Sequence, residues 1–196
     1  MKSLRKRTNG GEDSPALQSL ALLNLRNLNA MTLAQKNGND RVYTPYPLAY
    51  QIVDHFKPGG RLCDPCYGQM AFYSAMLRQA SDYPSLRGFE IDDGMDFLAW
   101  EKDEHFDWIV TNPPWSKLRA FLKKSMECSD NVVFLCLVNA FFMKARQQDM
   151  KDEGFGMKEI LFVPTPPKPW PQAGFSLGAV HIKRDYSGPV THSWIH

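Results

Sequence analysis

The stretch Thr111-Asn112-Pro113-Pro114-Trp115-Ser116 follows directly on the apolar run Phe106–Val110. Proline has no backbone N–H and a fixed φ, so an Asn-Pro-Pro turn holds its carbonyl groups outward in a set geometry without competing donors. The side-chain oxygen of Asn112 and the carbonyl of Pro113 can both accept hydrogen bonds from one amino group, with Pro114 stiffening the turn. Holding both protons directs the nitrogen lone pair out of conjugation with its ring and toward an electrophile, and Trp115 supplies a flat surface for that ring. The chemistry indicated is substitution at an aromatic amine. The competing reading is a turn that happens to contain an amide and two prolines. The buried strand before it and the indole after it argue against that.

Other candidate groups stand where apolar runs end. Glu90 closes Leu-Arg-Gly-Phe-Glu, a place from which a carboxylate can accept from both hydroxyls of a ribose, or simply remain an exposed loop-end acid. Asp96 can accept from the exocyclic amine of an adenine, with Phe97 against the ring face. Asp64 opens the turn Asp-Pro-Cys-Tyr-Gly, in which Gly68 lets the backbone approach a ligand at the start of a helix. Neither G-x-x-x-x-G-K-[ST] nor G-x-G-x-x-G occurs, which weakens phosphate transfer and hydride transfer as readings. Cys63 and Cys66 form a C-x-x-C, but no second metal-type pair follows, and His192 and His196 fall on an expected tail. Cys63, Cys66, Cys128 and Cys136 are therefore read as reduced, buried or spectator thiols, and no metal is expected.

Positioning these groups requires alternating strands and helices. Tyr46–Phe56 reads as a helix stopped by Lys-Pro-Gly-Gly, residues 61–65 as a short strand, and 70–80 as a helix. Residues 86–91 and 106–110 read as strands, 117–128 as a helix, and 131–138 as a continuous apolar strand of the kind buried on both faces. A helix around 141–154 follows, then strands at 157–163 and 175–184 around the proline-rich Pro-Thr-Pro-Pro-Lys-Pro-Trp-Pro-Gln-Ala-Gly. This pattern predicts an α/β fold: a Rossmann-like, doubly wound, mostly parallel sheet ending in an antiparallel hairpin, with ligands beyond the carboxyl ends of the strands. Residues 1–14 read as a mobile basic tail, and leucines 17, 20, 25 and 28 mark an amphipathic helix that follows it. The expected organisation is 1–40 as tail and helix, and 41–196 as the catalytic domain.

The 196 residues, 43% hydrophobic and 22% charged, suit one such domain. No apolar run is long enough to span a bilayer and no cleavable leader is evident, so a cytoplasmic protein with no membrane partner is expected. The net charge of +2 demands no polyanion. Its distribution says more: Lys2, Arg5, Lys6 and Arg7 cluster at the start, and Lys117, Arg119, Lys123 and Lys124 follow the Asn-Pro-Pro-Trp turn. Each cluster is either a solvated face or a set of phosphate contacts.

Taken together, Thr-Asn-Pro-Pro-Trp resembles the [DNS]-P-P-[YFW] motif of S-adenosylmethionine-dependent amino methyltransferases, above all the N6-adenine DNA methyltransferases. Tyr-Thr-Pro-Tyr-Pro-Leu-Ala-Tyr-Gln-Ile-Val (43–53) resembles the segment that contacts the methionine part of the cofactor in that family. Asp-Pro-Cys-Tyr-Gly resembles its first turn, Gly-Phe-Glu-Ile-Asp its ribose-binding strand end, and Met-Asp-Phe-Leu its adenine-binding loop. The stretch 170–184 is similar to the final hairpin of short, phage-type members, so the resemblance covers about residues 41 to 184. It implies Tyr43, Thr44 and Pro45 at the methionine end, Asp64 and Gly68 at its amino and carboxylate groups, Glu90 at the ribose, and Asp96 with Phe97 at the adenine. It implies Asn112, Pro113, Pro114 and Trp115 as the catalytic grip, and Phe175 stacking on the base from the opposite face. The sequence departs from the family where Cys66 and Met70 stand for a phenylalanine and a second glycine.

The resemblance further implies that a base within a duplex is swung out, at a few kcal/mol, and stacked on Trp115, while Lys117, Arg119, Lys123 and Lys124 hold phosphates. DNA is the expected partner, with RNA adenine or a protein glutamine as alternative acceptors. A non-catalytic, methyltransferase-like nucleic-acid-binding subunit is the alternative of another class. Sequence preference is expected to come from the N-terminal segment, loop 164–174 or a partner subunit.

Overall fold

The computed structural model describes residues 42–79, 85–101, 103–168, 170–172 and 174–195. The basic tail and the expected helix of residues 15–28 lie outside them, as does His196.

Helix α1 spans Tyr46–Phe56. Pro47 sits in its first turn, where a missing N–H costs nothing, and Leu48, Ala49, Ile52 and Val53 recur at helical spacing to make one buried face. Lys57 ends it in a left-handed conformation, its N–H donating to the Val53 carbonyl. Strand β1 (Leu62–Asp64), helix α2 (Ala71–Gln79) and strand β2 (Leu86–Gly88) follow, then β3 (Phe106–Thr111), α3 (Leu118–Cys128) and β4 (Ser129–Leu137). Helix α4 (Lys144–Asp152) leads into β5 (Phe155–Phe162), β6 (Leu177–Arg184) and β7 (Thr191–Trp194).

The seven strands form one sheet in the order β2-β1-β3-β4-β6-β5-β7. The first four are mutually parallel, β6 is antiparallel to both β4 and β5, and β7 runs parallel to β5. This is the expected α/β architecture with its antiparallel hairpin. Residues of β4 alternate between the two faces: Val132, Phe134 and Cys136 pack under α3 and α4, whereas Val133 and Leu135 pack under α1 and α2. Each is fully buried, and at about 1.5–3 kcal/mol per large side chain this central strand anchors both layers. No helix among the described residues is long and apolar enough to cross a membrane.

Three local expectations are corrected. The strand read at 86–91 ends at Gly88, and Ile91–Asp93 forms a 3-10 turn capped by the Glu90 side chain. The helix read from 141 begins at Lys144, because Val138–Phe142 is a separate 3-10 turn. The expected tail carrying His192 contains β7, which stacks Trp194 on Phe162 at 5.6 Å and 20°. A four-residue polar strand has no local periodicity to read; its stability comes from pairing with β5 and from that ring contact.

In the turn after β1, Gly68 adopts φ +47°, and a Cβ there would lie 3.0 Å from the ring of Tyr43. Met70 also adopts a positive φ, 64°. The left-handed region costs a side-chain-bearing residue about 1–2 kcal/mol, partly offset by the entropy a glycine loses on folding. Met70→Gly is therefore expected to stabilise the protein by about 0.5–1 kcal/mol in urea unfolding; a destabilised variant would show that the methionine side chain contributes more than its backbone strain removes.

Candidate functional site

The chain runs outward from β1 to β2 and then returns to β3 on the other side of β1. That reversal opens a crevice between the carboxyl ends of β1 and β3, the switch point of an open parallel sheet. A cleft of about 270 Å³ occupies it. Its walls come from four segments: 42–44 ahead of α1, 64–72 after β1, 90–98 after β2, and 112–117 after β3.

The turn after β1 is tied on every side. Tyr67 N–H donates to the Phe89 carbonyl at 3.0 Å and Gly68 N–H to Glu90 Oε2 at 2.7 Å. The Tyr67 hydroxyl donates to the Asp93 carboxylate; burial first, and this bond with the carboxylate's charge after it, push the phenol's pKa up. The Tyr46 hydroxyl donates to the Gln69 carbonyl at 2.6 Å, strapping the segment before α1 across the turn.

Asp64 lies at the floor, 1% exposed. Burial pushes its carboxyl up to about 7, against the hydroxyl of Thr111, which donates to Oδ1 at 2.7 Å, and the N–H of Cys66. Cys66 Sγ sits 3.1 Å from Thr111 Oγ1 and 3.4 Å from the Asn112 carbonyl, so a thiol, a hydroxyl and a carboxyl join the ends of β1 and β3. Burial pushes the thiols of Cys63 and Cys66 well above their ordinary range, and no acid or histidine cluster among the described residues is arranged to hold a metal ion.

Asn112 follows Thr111, which is completely buried, so its position is set by the core. Its side-chain Nδ2 donates to the Val42 carbonyl at 2.8 Å. Its Oδ1 is buried and unpartnered among the described residues, and the residue lines the cleft. The Pro114 carbonyl accepts from Lys117 N–H at 3.0 Å and closes a 3-10 turn over Trp115–Lys117; the Pro113 carbonyl takes no part in that turn. Thr44 Oγ1 and Gln69 Nε2 are likewise buried and unpartnered, and both residues line the same cleft.

The structure brings Tyr43, Thr44, Asp64, Gly68, Glu90 and Asp96 to one cleft with Asn112, Pro113, Pro114, Trp115 and Lys117. Pro45 stands behind it as the N-cap of α1. Phe97 lines the same cleft but keeps little of its ring open: it is 1% exposed, stacked with Phe121 at 5.7 Å and with Trp100 at 6.1 Å. Ile91 and Met95 are the exposed apolar groups at that lip, and sequence reasoning missed both. The four-cation cluster after Trp115 is also divided. Arg119 forms a bidentate pair with Asp149 (2.7 and 2.9 Å), Lys124 caps the Trp100 carbonyl, and Lys123 is exposed along α3. Phe175 is 58% exposed on the β5–β6 connection, outside the cleft lining. From that connection Trp170, 4% exposed, meets Trp115 edge to face at 6.3 Å, a contact for which the only sequence signal was an indole in a proline-rich loop.

No protein-family model matches the sequence and no curated protein matches it. Solved structures share its fold. A candidate class I S-adenosylmethionine-dependent methyltransferase of Listeria monocytogenes superposes with a TM-score of 0.66 at 12% identity, over 95% of this chain and 80% of that one. The methyltransferase subunit of a type I restriction-modification system from Streptococcus thermophilus gives 0.62 at 12% identity, over 92% of this chain and 52% of that one; this chain spans about half of that subunit. A precorrin-6y C5,15-methyltransferase of Geobacter metallireducens gives 0.54 at 10% identity, over 76% and 93%. The fold is that of class I methyltransferases. A restriction-modification subunit and a precorrin enzyme share it, so the fold leaves the acceptor open.

The buried carboxyl gives a pH signature. Asp64 titrates near 3.8 when unfolded and near 7 when folded, so its favourable contribution is complete below about pH 4 and is lost as pH rises through 7. Asp64→Asn removes that loss. Relative to the natural protein, the variant is expected to gain up to about 4 kcal/mol between pH 4 and pH 7.5 in urea unfolding. A difference independent of pH would mean that the carboxyl is not desolvated in the folded protein.

Proposed function

We propose that this protein is an S-adenosylmethionine-dependent methyltransferase whose acceptor is the N6 amino group of adenine in DNA. The observation that carries the proposal is the state of Asn112. Its amide nitrogen is spent on Val42, and its oxygen is buried and unpartnered in a residue that lines the cleft together with Pro113 and Trp115. An acceptor held in this way suits a ligand that brings two N–H donors attached to a flat ring.

The groups present also suit the cofactor. S-adenosylmethionine has an ammonium, a carboxylate, a ribose diol and an adenine, and it supplies an activated methyl carbon on a sulfonium. Asp64 offers an acceptor to the ammonium, while Thr44 Oγ1 and Gln69 Nε2 offer unpartnered donors to the carboxylate. Glu90 is held facing Gly68 at the mouth, where a carboxylate can accept further bonds from a diol. Asp96 and Phe97 stand at the adenine end with the exposed Ile91 beside them. A positively charged ligand matches a cleft side that holds Asp64, Glu90, Asp92 and Asp96 and no lysine or arginine between 64 and 70 or between 89 and 98.

The chain's own work is positioning and electrostatics. Asn112 Oδ1 and the Pro113 carbonyl hold the two amine protons, so the lone pair leaves conjugation and faces the cofactor side. Trp115, braced by Trp170, carries the base. Met70 keeps the glycine-like conformation of the turn, which supports an intact cofactor site over a degenerate, non-catalytic one.

The test is incubation of unmodified DNA with methyl-labelled cofactor followed by nucleoside analysis, with N6-methyladenine as the expected product. Label found in a protein acceptor alone, or in none, would overturn the assignment. Asn112→Ala is expected to lower turnover at least about a hundredfold while cofactor affinity measured by calorimetry stays within a few fold; wild-type turnover in this variant would remove the proposed grip on the amine.

A further inference from the structure

The carboxyl edge of the sheet carries opposite charge on its two halves, with acids lining the cleft and Lys117 as the cation on its lining. The acids of the β1 and β2 ends face the segments that rise from β3, β4 and the β5–β6 connection. Residues 111–119, 138–148 and 163–176 contain Lys117, Arg119, Lys144, Arg146 and Lys168 and no aspartate or glutamate. Arg119 is neutralised by Asp149, but Lys117, Lys144 and Lys168 are exposed. Large apolar groups are exposed among them: Phe142 and Met143 at 54% each, and Phe175 at 58%. They lie on one rim, because Leu137 at the end of β4 pairs with Leu177 at the start of β6, and Val138 N–H donates to the Ser176 carbonyl.

Rings left open to solvent on an edge that also carries ammonium groups fit a partner that combines flat apolar faces with negative charge. A protein acceptor has no regular repeat of the two. In a duplex the base faces are stacked on one another and unavailable to side chains, whereas an unpaired strand offers every base face together with its phosphates. The acidic half of the cleft repels the same strand and confines it to this rim.

We infer that the rim formed by Phe142, Met143 and Phe175 with Lys117, Lys144 and Lys168 is a docking surface for single-stranded DNA, whose bases flanking the target adenine stack on the exposed rings. The inference rests on the reading of the cleft as an adenine methyltransferase site and names the form of DNA it takes. The target base is presented by a strand already unpaired around it, and opening a duplex is left to another agent or to the state of the DNA.

Fluorescence anisotropy without cofactor tests this, using one adenine-containing sequence as a labelled DNA strand, a blunt duplex and an RNA strand. The DNA strand is expected to bind about tenfold tighter than the duplex. The double variant Phe142→Ala, Phe175→Ala is expected to weaken strand binding about tenfold with duplex binding and melting temperature unchanged. Lys144→Gln is expected to flatten the logarithmic salt dependence of strand binding by about 0.7. Duplex binding as tight as the strand, tighter binding of RNA, or an unaffected double variant would overturn the inference. The two readings separate in the same set of proteins: strand binding of this pattern without any methyl transfer removes the catalytic reading and leaves the rim. Wild-type methylation of duplex DNA by the double variant removes the rim and leaves the catalysis.

Discussion

Everything at the mouth of the sheet depends on the hydrogen bond from Asn112 Nδ2 to the Val42 carbonyl. A free asparagine amide can present either end, and its donor would repel an amine. Fixing the nitrogen on a backbone carbonyl that arrives from before α1 settles the orientation and leaves the oxygen without a partner. The cost of a buried acceptor without a partner is about 1–3 kcal/mol, and it falls here beside a strand end that the core holds rigid. The same logic extends to Thr44 Oγ1 and Gln69 Nε2. Unsatisfied buried polar groups are rare, and three of them line a single cleft.

The rest of the fold acts to keep that geometry. Asp64, Thr111 and Cys66 bond across from β1 to β3, so the two strand ends that flank the crevice cannot move independently. The turns after β1 and β2 are bolted together by Tyr67 and Gly68 on one side and by Phe89, Glu90 and Asp93 on the other. Met70 in a left-handed conformation is the strain this arrangement tolerates. Backbone in that region is overdetermined by its bonds, which is how a residue with a side chain is kept where glycine would be easier.

Charge divides the same crevice into two environments. Carboxylates collect where β1 and β2 end and cations where β3, β4 and the β5–β6 connection end, with the Asn-Pro-Pro-Trp turn at the boundary. In the proposed reading this polarity sorts the two reactants before any contact is made, a cation to one side and a polyanion to the other, and it needs no net charge on the protein as a whole.

The architecture was legible in the residues alone because its signals are local. Helical spacing at Leu48, Ala49, Ile52 and Val53, the uninterrupted apolar run of β4, and prolines and glycines between runs each follow from the period of one element. So did the candidate groups, because strand ends in a parallel sheet are where ligands bind, and the chain writes Asp64, Glu90 and Asn112 at three of them. What the sequence left undecided were matters of pairing between distant segments. The strand at Thr191–Trp194 exists only against β5 and Phe162, and Trp170 reaches Trp115 only through the fold of a proline-rich loop. Arg119 looks like a phosphate ligand until Asp149, 30 residues on, accepts from two of its three nitrogens, and Phe97, though it lines the cleft, has most of its ring covered by Trp100 and Phe121. Composition and spacing determine which groups a chain can place at a site; which of them remain available is decided by tertiary contacts, since a side chain that has found a partner inside the protein no longer needs one outside it.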